Sequence, residues 1–118
     1  MIVSVILPTF NEAKNIVSLV ASIIEVIPAD WDYEVIVVDD NSPDGTHAAV
    51  SDAFRDNTRV VSVLRTVDPG LAASILEGIK RARGEQVLVM DADFTHDPVE
   101  IPRLLHVGKF YAIVSGSR

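Results

Sequence analysis

Five short apolar segments rich in Val and Ile recur along the 118-residue chain. They barely alternate between apolar and polar residues, which is typical of strands that are covered on both faces of a parallel sheet. The predicted strands span residues 2–7, 34–38, 59–64, 86–90 and 111–114. Because helical patterns separate them, the chain predicts an α/β fold: an open, mostly parallel, twisted sheet with helices on both faces.

Four helices are predicted between these strands. The first has an N-cap at Asn11 and ends before Pro28. Its apolar positions are Ile16, Leu19, Val20, Ile23, Ile24 and Ile27. The second spans residues 46–54, the third begins near residue 71 with Gly84 as its C′ residue, and the fourth begins near Pro98.

The composition excludes several kinds of site. A formal net charge of −7, with no basic stripe along the chain, argues against nucleic-acid binding. The absence of cysteine excludes disulfides, thiolate metal sites and cysteine nucleophiles. No apolar run approaches the roughly 18 residues of a membrane span, and the first residues predict a strand rather than a signal peptide. The chain is therefore expected to be a soluble, cytoplasmic domain.

Polar loops follow the first, second and fourth predicted strands. They span residues 8–12, 39–45 and 91–97. Because ligands of open α/β sheets bind at the carboxyl ends of the strands, these loops define the candidate site. Six of the 17 acidic residues lie in the last two loops, so we expect Asp39, Asp40, Asp91 and Asp93 to converge at one edge of the sheet.

The motif Asp91-Ala92-Asp93 directly follows an apolar strand and is the candidate metal site. Two carboxylates one residue apart can approach one hard cation, and Mg²⁺ and Mn²⁺ prefer oxygen ligands. His96 is a further candidate ligand, although a lone loop histidine is more often a structural hydrogen-bonding residue. The alternative is that Asp91 caps the next helix while Asp93 is solvated.

The first two loops suit a nucleotide. One or both carboxylates of Asp39 and Asp40 can accept hydrogen bonds from a ribose hydroxyl or a base N–H. Phe10 can stack on a base, and Glu12 can accept from a sugar or base. The alternatives are an aromatic residue at the edge of the core and a first-turn glutamate favoured by the helix dipole.

The remaining loop chemistry indicates turns and a metal rather than a glycine-rich phosphate loop. Asp44 and Gly45 are interpreted as turn residues. Neither a Gly-x-Gly-x-x-Gly motif after a strand nor a Walker motif is present. A bound diphosphate would therefore need another positive partner, which a metal held by Asp91 and Asp93 would supply.

Taken together, these segments resemble family 2 glycosyltransferases of the GT-A fold, and among them most closely the polyprenyl (dolichyl) phosphate mannosyltransferases. The resemblance rests on six segments in the family's order. They are residues 5–12 (Val-Ile-Leu-Pro-Thr-Phe-Asn-Glu), 37–46 (Val-Val-Asp-Asp-Asn-Ser-Pro-Asp-Gly-Thr), 82–84, 90–93, 96–98 and 115–118. Two segments depart from the family: Thr95 stands where many relatives have Gln, and residues 68–72 replace a usual Lys-x-Gly-Leu-Gly.

The resemblance implies an inverting, metal-dependent transfer of mannose from GDP-mannose to a polyprenyl or dolichyl phosphate at a membrane surface. Asp91 and Asp93 would be the catalytic residues and would hold Mg²⁺ or Mn²⁺. The implied donor-binding residues are Pro8, Phe10, Glu12, Val38, Asp40, Asp91, Ala92, Asp93 and Arg118.

The resemblance also implies that residues 1–118 form the nucleotide-sugar-binding domain and that an acceptor half lies beyond them. The complete protein would then lie peripherally at the cytoplasmic membrane face, and this chain alone would bind the donor without transferring sugar.

Three other functions fit the same residues. A related family 2 enzyme would use a UDP-glucose donor, and a nucleotide-binding module would have no turnover. A phosphatase of the haloacid dehalogenase type would use Asp91 as nucleophile and Asp93 as acid and base. That third function requires a later lysine and a later acidic pair, and only Lys109 follows.

Overall fold

The fold is a five-stranded parallel sheet with helices on both faces, as the sequence predicts. The structure, a computed structural model, describes residues 2–90 and the backbone of residues 110–113. The elements are β1 (Ile2–Thr9), α1 (Ile16–Val26), β2 (Asp32–Asp39), α2 (Thr46–Ala53), β3 (Val60–Leu64), α3 (Leu71–Arg81), β4 (Gln86–Met90) and β5 (Phe110–Ile113). The fourth predicted helix, near Pro98, lies outside the described residues.

The strand order β3-β2-β1-β4-β5 defines where the ligand crevice of such a sheet is expected. From β1 the chain builds outward through β2 and β3, and then returns to the other side of β1 with β4. The order therefore reverses between β1 and β4, and open α/β sheets bind ligands in the crevice at such a reversal, beyond the carboxyl ends of the strands.

Alternate residues of the buried strands supply two cores. Val5 and Val37 face the core shared with α1 and α2, while Ile6 and Ile36 face the core shared with α3. Both faces of β1 and β2 are covered, which explains why these strands are almost continuously apolar. None of the helices that the structure describes is long and apolar enough to cross a membrane.

Helix α3 packs very closely on β1 through Gly78. A Cβ atom at this position would lie 2.4 Å from Cγ2 of Ile6, closer than real contacts allow. Ser74, one turn earlier, is also fully buried. The small residues therefore set the distance between α3 and the sheet.

Two predicted helix boundaries are wrong. Helix α1 begins at Ile16 after Asn15, whereas Asn11 lies in the preceding loop with a left-handed φ of 58°. Helix α3 ends at Arg81, and the extended Ala82 follows it, so Gly84 is not its C′ residue. Gly84 is required for packing instead, because a Cβ there would lie 2.5 Å from Oγ of Ser4.

Candidate active site

The carboxyl ends of β1 and β2 are joined by a buried pair, Thr9 and Asp39, which are partners in the parallel register. The Thr9 hydroxyl donates to Oδ1 of Asp39 at 2.8 Å. The Ser42 hydroxyl donates to the same oxygen at 2.6 Å, and the Ser42 N–H donates to Oδ2 at 2.9 Å. Since Asp39 is fully buried and receives three hydrogen bonds, its role here is to shape the loop.

Side chains of the loop after β2 and of Thr46, the first residue of α2, hold the loop after β1. Three consecutive backbone N–H groups, those of residues 11–13, donate in turn to Oγ of Ser42, Oγ1 of Thr46 and Oδ2 of Asp44. The donor–acceptor distances are 2.8, 3.1 and 3.1 Å. We call these three bonds the loop latch. It ties together the two loops that the sequence assigns to nucleotide binding.

The Asp44 carboxylate accepts hydrogen bonds both from the loop after β1 and from within its own turn. Its Oδ1 accepts from the N–H and the hydroxyl of Thr46, and Gly45 between them has a left-handed φ of 85°. Burial alone would raise the pKa of Asp44, but hydrogen bonds from the Thr46 hydroxyl and from the N–H groups of Ala13 and Thr46 lower it below its ordinary value. The interpretation of Asp44 and Gly45 as turn residues is confirmed.

Phe10 and Glu12 lie on the loop that the latch holds. Phe10 is 42% exposed and is therefore not a core residue. Glu12 precedes α1 by four residues, so it is not in the first turn, and its carbonyl accepts from the N–H groups of Asn15 and Ile16. Pro8 and Val38 are register partners and are both buried at the end of the sheet. An exposed aromatic ring thus lies directly after a buried strand end.

Asp40 lies on the α3 side of the sheet and is held from two directions. The Arg65 guanidinium donates to Oδ1 at 2.9 Å, and the Gly70 N–H donates to Oδ2 at 2.8 Å. Neither Arg65 nor Gly70 is among the predicted site residues. The available signal is position: Arg65 directly follows β3, so it lies at the same edge as the loops after β1 and β2.

The residues predicted to hold the metal, Asp91 and Asp93, lie outside the described residues, as does the further candidate ligand His96. Ala92 and Arg118, which are predicted donor contacts, and Thr95, where the chain departs from the family, lie outside them too. What the structure describes is the strand that leads to them: β4 pairs in parallel with β1 and ends at Met90, at the carboxyl edge. Within residues 2–90, no three His, Asp or Glu side chains form a group that could hold a metal ion. The convergence of Asp91 and Asp93 with Asp40 therefore stays a prediction.

A second polar cluster lies at the opposite edge of the sheet, around the buried Glu34. The Ser4 hydroxyl and the Arg83 N–H donate to Oε2 of Glu34 at 2.5 and 2.6 Å. The Gly84 N–H donates to Oγ of Ser4 at 2.8 Å. These bonds fasten the segment between α3 and β4 to β1 and β2. The segment 82–84, one of the six on which the resemblance rests, thus has a structural role.

The fold and the edge that carries these loops define the class: this is a GT-A domain, the α/β fold of glycosyltransferases that bind nucleotide sugars. The chain belongs to glycosyl transferase family 2, whose family model matches residues 4–118. This assignment confirms the resemblance and decides against the phosphatase alternative.

Two mannosyltransferases are similar to most of this chain, but the similarity covers only about a third of each of them. The dolichol-phosphate mannosyltransferase of Pyrococcus furiosus is 38% identical over 92% of this chain and 30% of that protein. A dolichol-phosphate mannosyltransferase of Mycosarcoma maydis is 36% identical over 86% of this chain and 36% of that protein. The chain thus spans about a third of the length of these relatives.

Solved structures agree with this assignment. A mannosyltransferase of Pyrobaculum calidifontis, in complex with GDP-Man and Mn²⁺, superposes with a TM-score of 0.69 at 37% identity. The match covers 77% of this chain and 27% of that one. TarS of S. aureus in complex with UDP-GlcNAc superposes with a TM-score of 0.70 at 30% identity, over 89% of this chain and 30% of that one.

Proposed function

We propose that this chain is the donor-binding part of an inverting glycosyltransferase that moves mannose from GDP-mannose to a polyprenyl or dolichyl phosphate. The observation that carries the proposal is the arrangement at the carboxyl edge of β1 and β2. There the loop after β1 carries the exposed Phe10, and the loop after β2 carries Asp40, a buried hydrogen-bond acceptor. The two mannosyltransferase relatives and the neighbour solved with GDP-Man support the choice of donor.

In this proposal the first two loops bind the nucleoside. Pro8 and Val38 form the apolar floor of the pocket, and the ring of Phe10 stacks on the guanine. The Asp40 carboxylate accepts from base N–H groups, and Glu12 accepts from a sugar hydroxyl or the base. An aromatic stack is worth about 1–3 kcal/mol per base, so Phe10 is expected to dominate nucleoside affinity.

Asp91 and Asp93 are proposed to hold one Mg²⁺ or Mn²⁺ with the donor diphosphate. They follow β4 where it ends at the carboxyl edge, and their carboxylate oxygens are the ligands that these cations prefer. When bound, such a cation acts as a Lewis acid that offsets the charge developing on the leaving diphosphate. The Ala92 backbone and Arg118 are further proposed donor contacts.

The proposed acceptor does not require the protein to supply a general base. A polyprenyl phosphate is already anionic near neutral pH, so its oxygen can attack the anomeric carbon without a general base. The new C–O bond forms on the face opposite the bond to GDP, which breaks, and the anomeric configuration inverts. Because the acceptor is a lipid, we propose that the complete protein works peripherally at the cytoplasmic face of a membrane.

Calorimetric titration of the purified protein with GDP, UDP and ADP, each with and without Mn²⁺, tests the donor. We expect GDP to bind at least tenfold more tightly than ADP, and only with the cation. Preferential UDP binding would instead favour the UDP-sugar alternative, and no binding of any nucleotide would contradict the proposal. A transfer assay with GDP-mannose and a short polyprenyl phosphate, run on a protein of the relatives' full length, tests the acceptor.

A further inference from the structure

Among the described residues, Arg65 and Asp40 form an ion pair unlike the others. The two side chains are 13% and 2% exposed, whereas the arginines of the other three ion pairs, Arg59, Arg81 and Arg83, are at least half exposed. Exposed pairs contribute little to stability. The Arg65–Asp40 pair is therefore the one whose removal from water needs a physical explanation.

Stability alone does not explain this pair. Removing two charges from water costs several kcal/mol per ion, and well-packed apolar residues of similar volume often stabilise a protein as well or better. A buried pair at a ligand-binding edge can instead hold one member in a fixed charge state and orientation. Asp40 lies at that edge, and the loop that follows Arg65 is built around the pair.

The geometry fixes Asp40 from both sides. The same Arg65 nitrogen that donates to Oδ1 also donates to the Asp68 carbonyl at 3.1 Å. Asp68 has a left-handed φ of 52°, and Gly70, whose N–H donates to Oδ2, has φ 150° and ψ 153°. Only glycine adopts the latter conformation readily. One guanidinium thus organises both the carboxylate and the 65–70 loop.

We propose that Arg65 is the positioning residue that keeps Asp40 an oriented hydrogen-bond acceptor and thereby sets the base preference of the site; this inference rests on the proposed function. An ionised carboxylate accepts hydrogen bonds and donates none. Guanine presents two donors on one edge, N1–H and the 2-amino group. Hypoxanthine presents only N1–H, and adenine presents an acceptor at N1. Arg65 therefore favours GDP over IDP, and IDP over ADP.

The test measures base selectivity rather than affinity alone. Dissociation constants for GDP, IDP and ADP with Mn²⁺ are measured on the purified wild-type protein and on R65Q, R65K and R81Q. R81Q is the matched control, since Arg81 is an exposed arginine on α3 paired with Glu77. We expect R65Q to weaken GDP binding at least tenfold while ADP binding changes less than twofold. R65K should restore part of the GDP preference, and R81Q should match wild type.

Each result decides the inference. Equal weakening of GDP and ADP binding by R65Q would show a merely structural role and overturn it, as would an R65Q protein with wild-type selectivity. If R65Q melts below the assay temperature, R65K decides: an unchanged GDP to ADP ratio in R65K would overturn the inference, and a reduced ratio would support it. If wild type fails to prefer GDP, the proposed donor itself fails, which is a separate result.

Discussion

The backbone N–H of Asn11 donates to Oγ of Ser42 at 2.8 Å, and this bond joins the loop after β1 to the loop after β2. The Ser42 hydroxyl itself donates to the buried Asp39. A single side chain thus connects the core of the sheet to the loop that carries Phe10. We therefore expect the positioning of the proposed nucleoside contacts to depend on this connection.

The substitution S42A should loosen the loop after β1. It removes the Asn11 bond and one of the three bonds to Asp39, and a typical intramolecular hydrogen bond contributes about 1 kcal/mol. We expect a small decrease in melting temperature and weaker GDP binding in calorimetry. The control is S51A, which changes an exposed serine of α2. Equal GDP affinity in both variants would show that the latch does not position the site.

The substitution D44N should lower stability at neutral pH but not in acid. Since the folded-state pKa of Asp44 is lowered, its ionised form contributes stability above the unfolded pKa, and this contribution is lost as the pH falls through the folded pKa. The melting temperatures of wild type and D44N should therefore differ at pH 7 and begin to converge only as the pH falls below about 4, towards the lowered folded-state pKa. Asp44 is exposed, so the difference should be small. A constant difference across this range would contradict the prediction.

The substitution G78A should destabilise the packing of α3 on the sheet. Alanine favours helix by about 1 kcal/mol over glycine, but its Cβ would meet Ile6 at 2.4 Å, and overpacking typically costs about 1–3 kcal/mol. We expect a lower midpoint in urea unfolding. K80A, an exposed change on the same helix, is the control. A G78A midpoint equal to or above wild type would mean that α3 shifts at no cost.

The substitution D93N should abolish cation-dependent nucleotide binding while leaving the fold intact. It removes a proposed metal ligand three positions after the last residue of β4. GDP titrations with Mn²⁺ should show no binding, and metal-free melting curves should match wild type. I6A is the contrasting variant, because truncating a fully buried core residue costs about 2–5 kcal/mol. A metal-free loss of stability in D93N comparable to that in I6A would contradict the prediction.

Much of the fold follows from local patterns in the sequence. Uninterrupted Val and Ile runs predict strands covered on both faces, and the helices between them predict parallel pairing, as observed for all five strands. The turn at Asp44 and Gly45 is equally local, since the bonds within it join residues two apart. These features depend on side-chain period and backbone preference, which neighbouring residues determine by themselves.

Contacts between distant residues, in contrast, were decided only by the tertiary structure. Arg65 pairs with Asp40 25 positions away, and Gly84 donates to Ser4 80 positions away. Asn11 is of a residue type favoured at helix N-caps, yet its backbone N–H is held in the loop latch, and α1 begins after Asn15 instead. Composition and periodicity identify which residues are polar, apolar or able to turn. Which polar groups meet depends on how the sheet brings its strand ends together, because a buried donor or acceptor must find its partner across the fold.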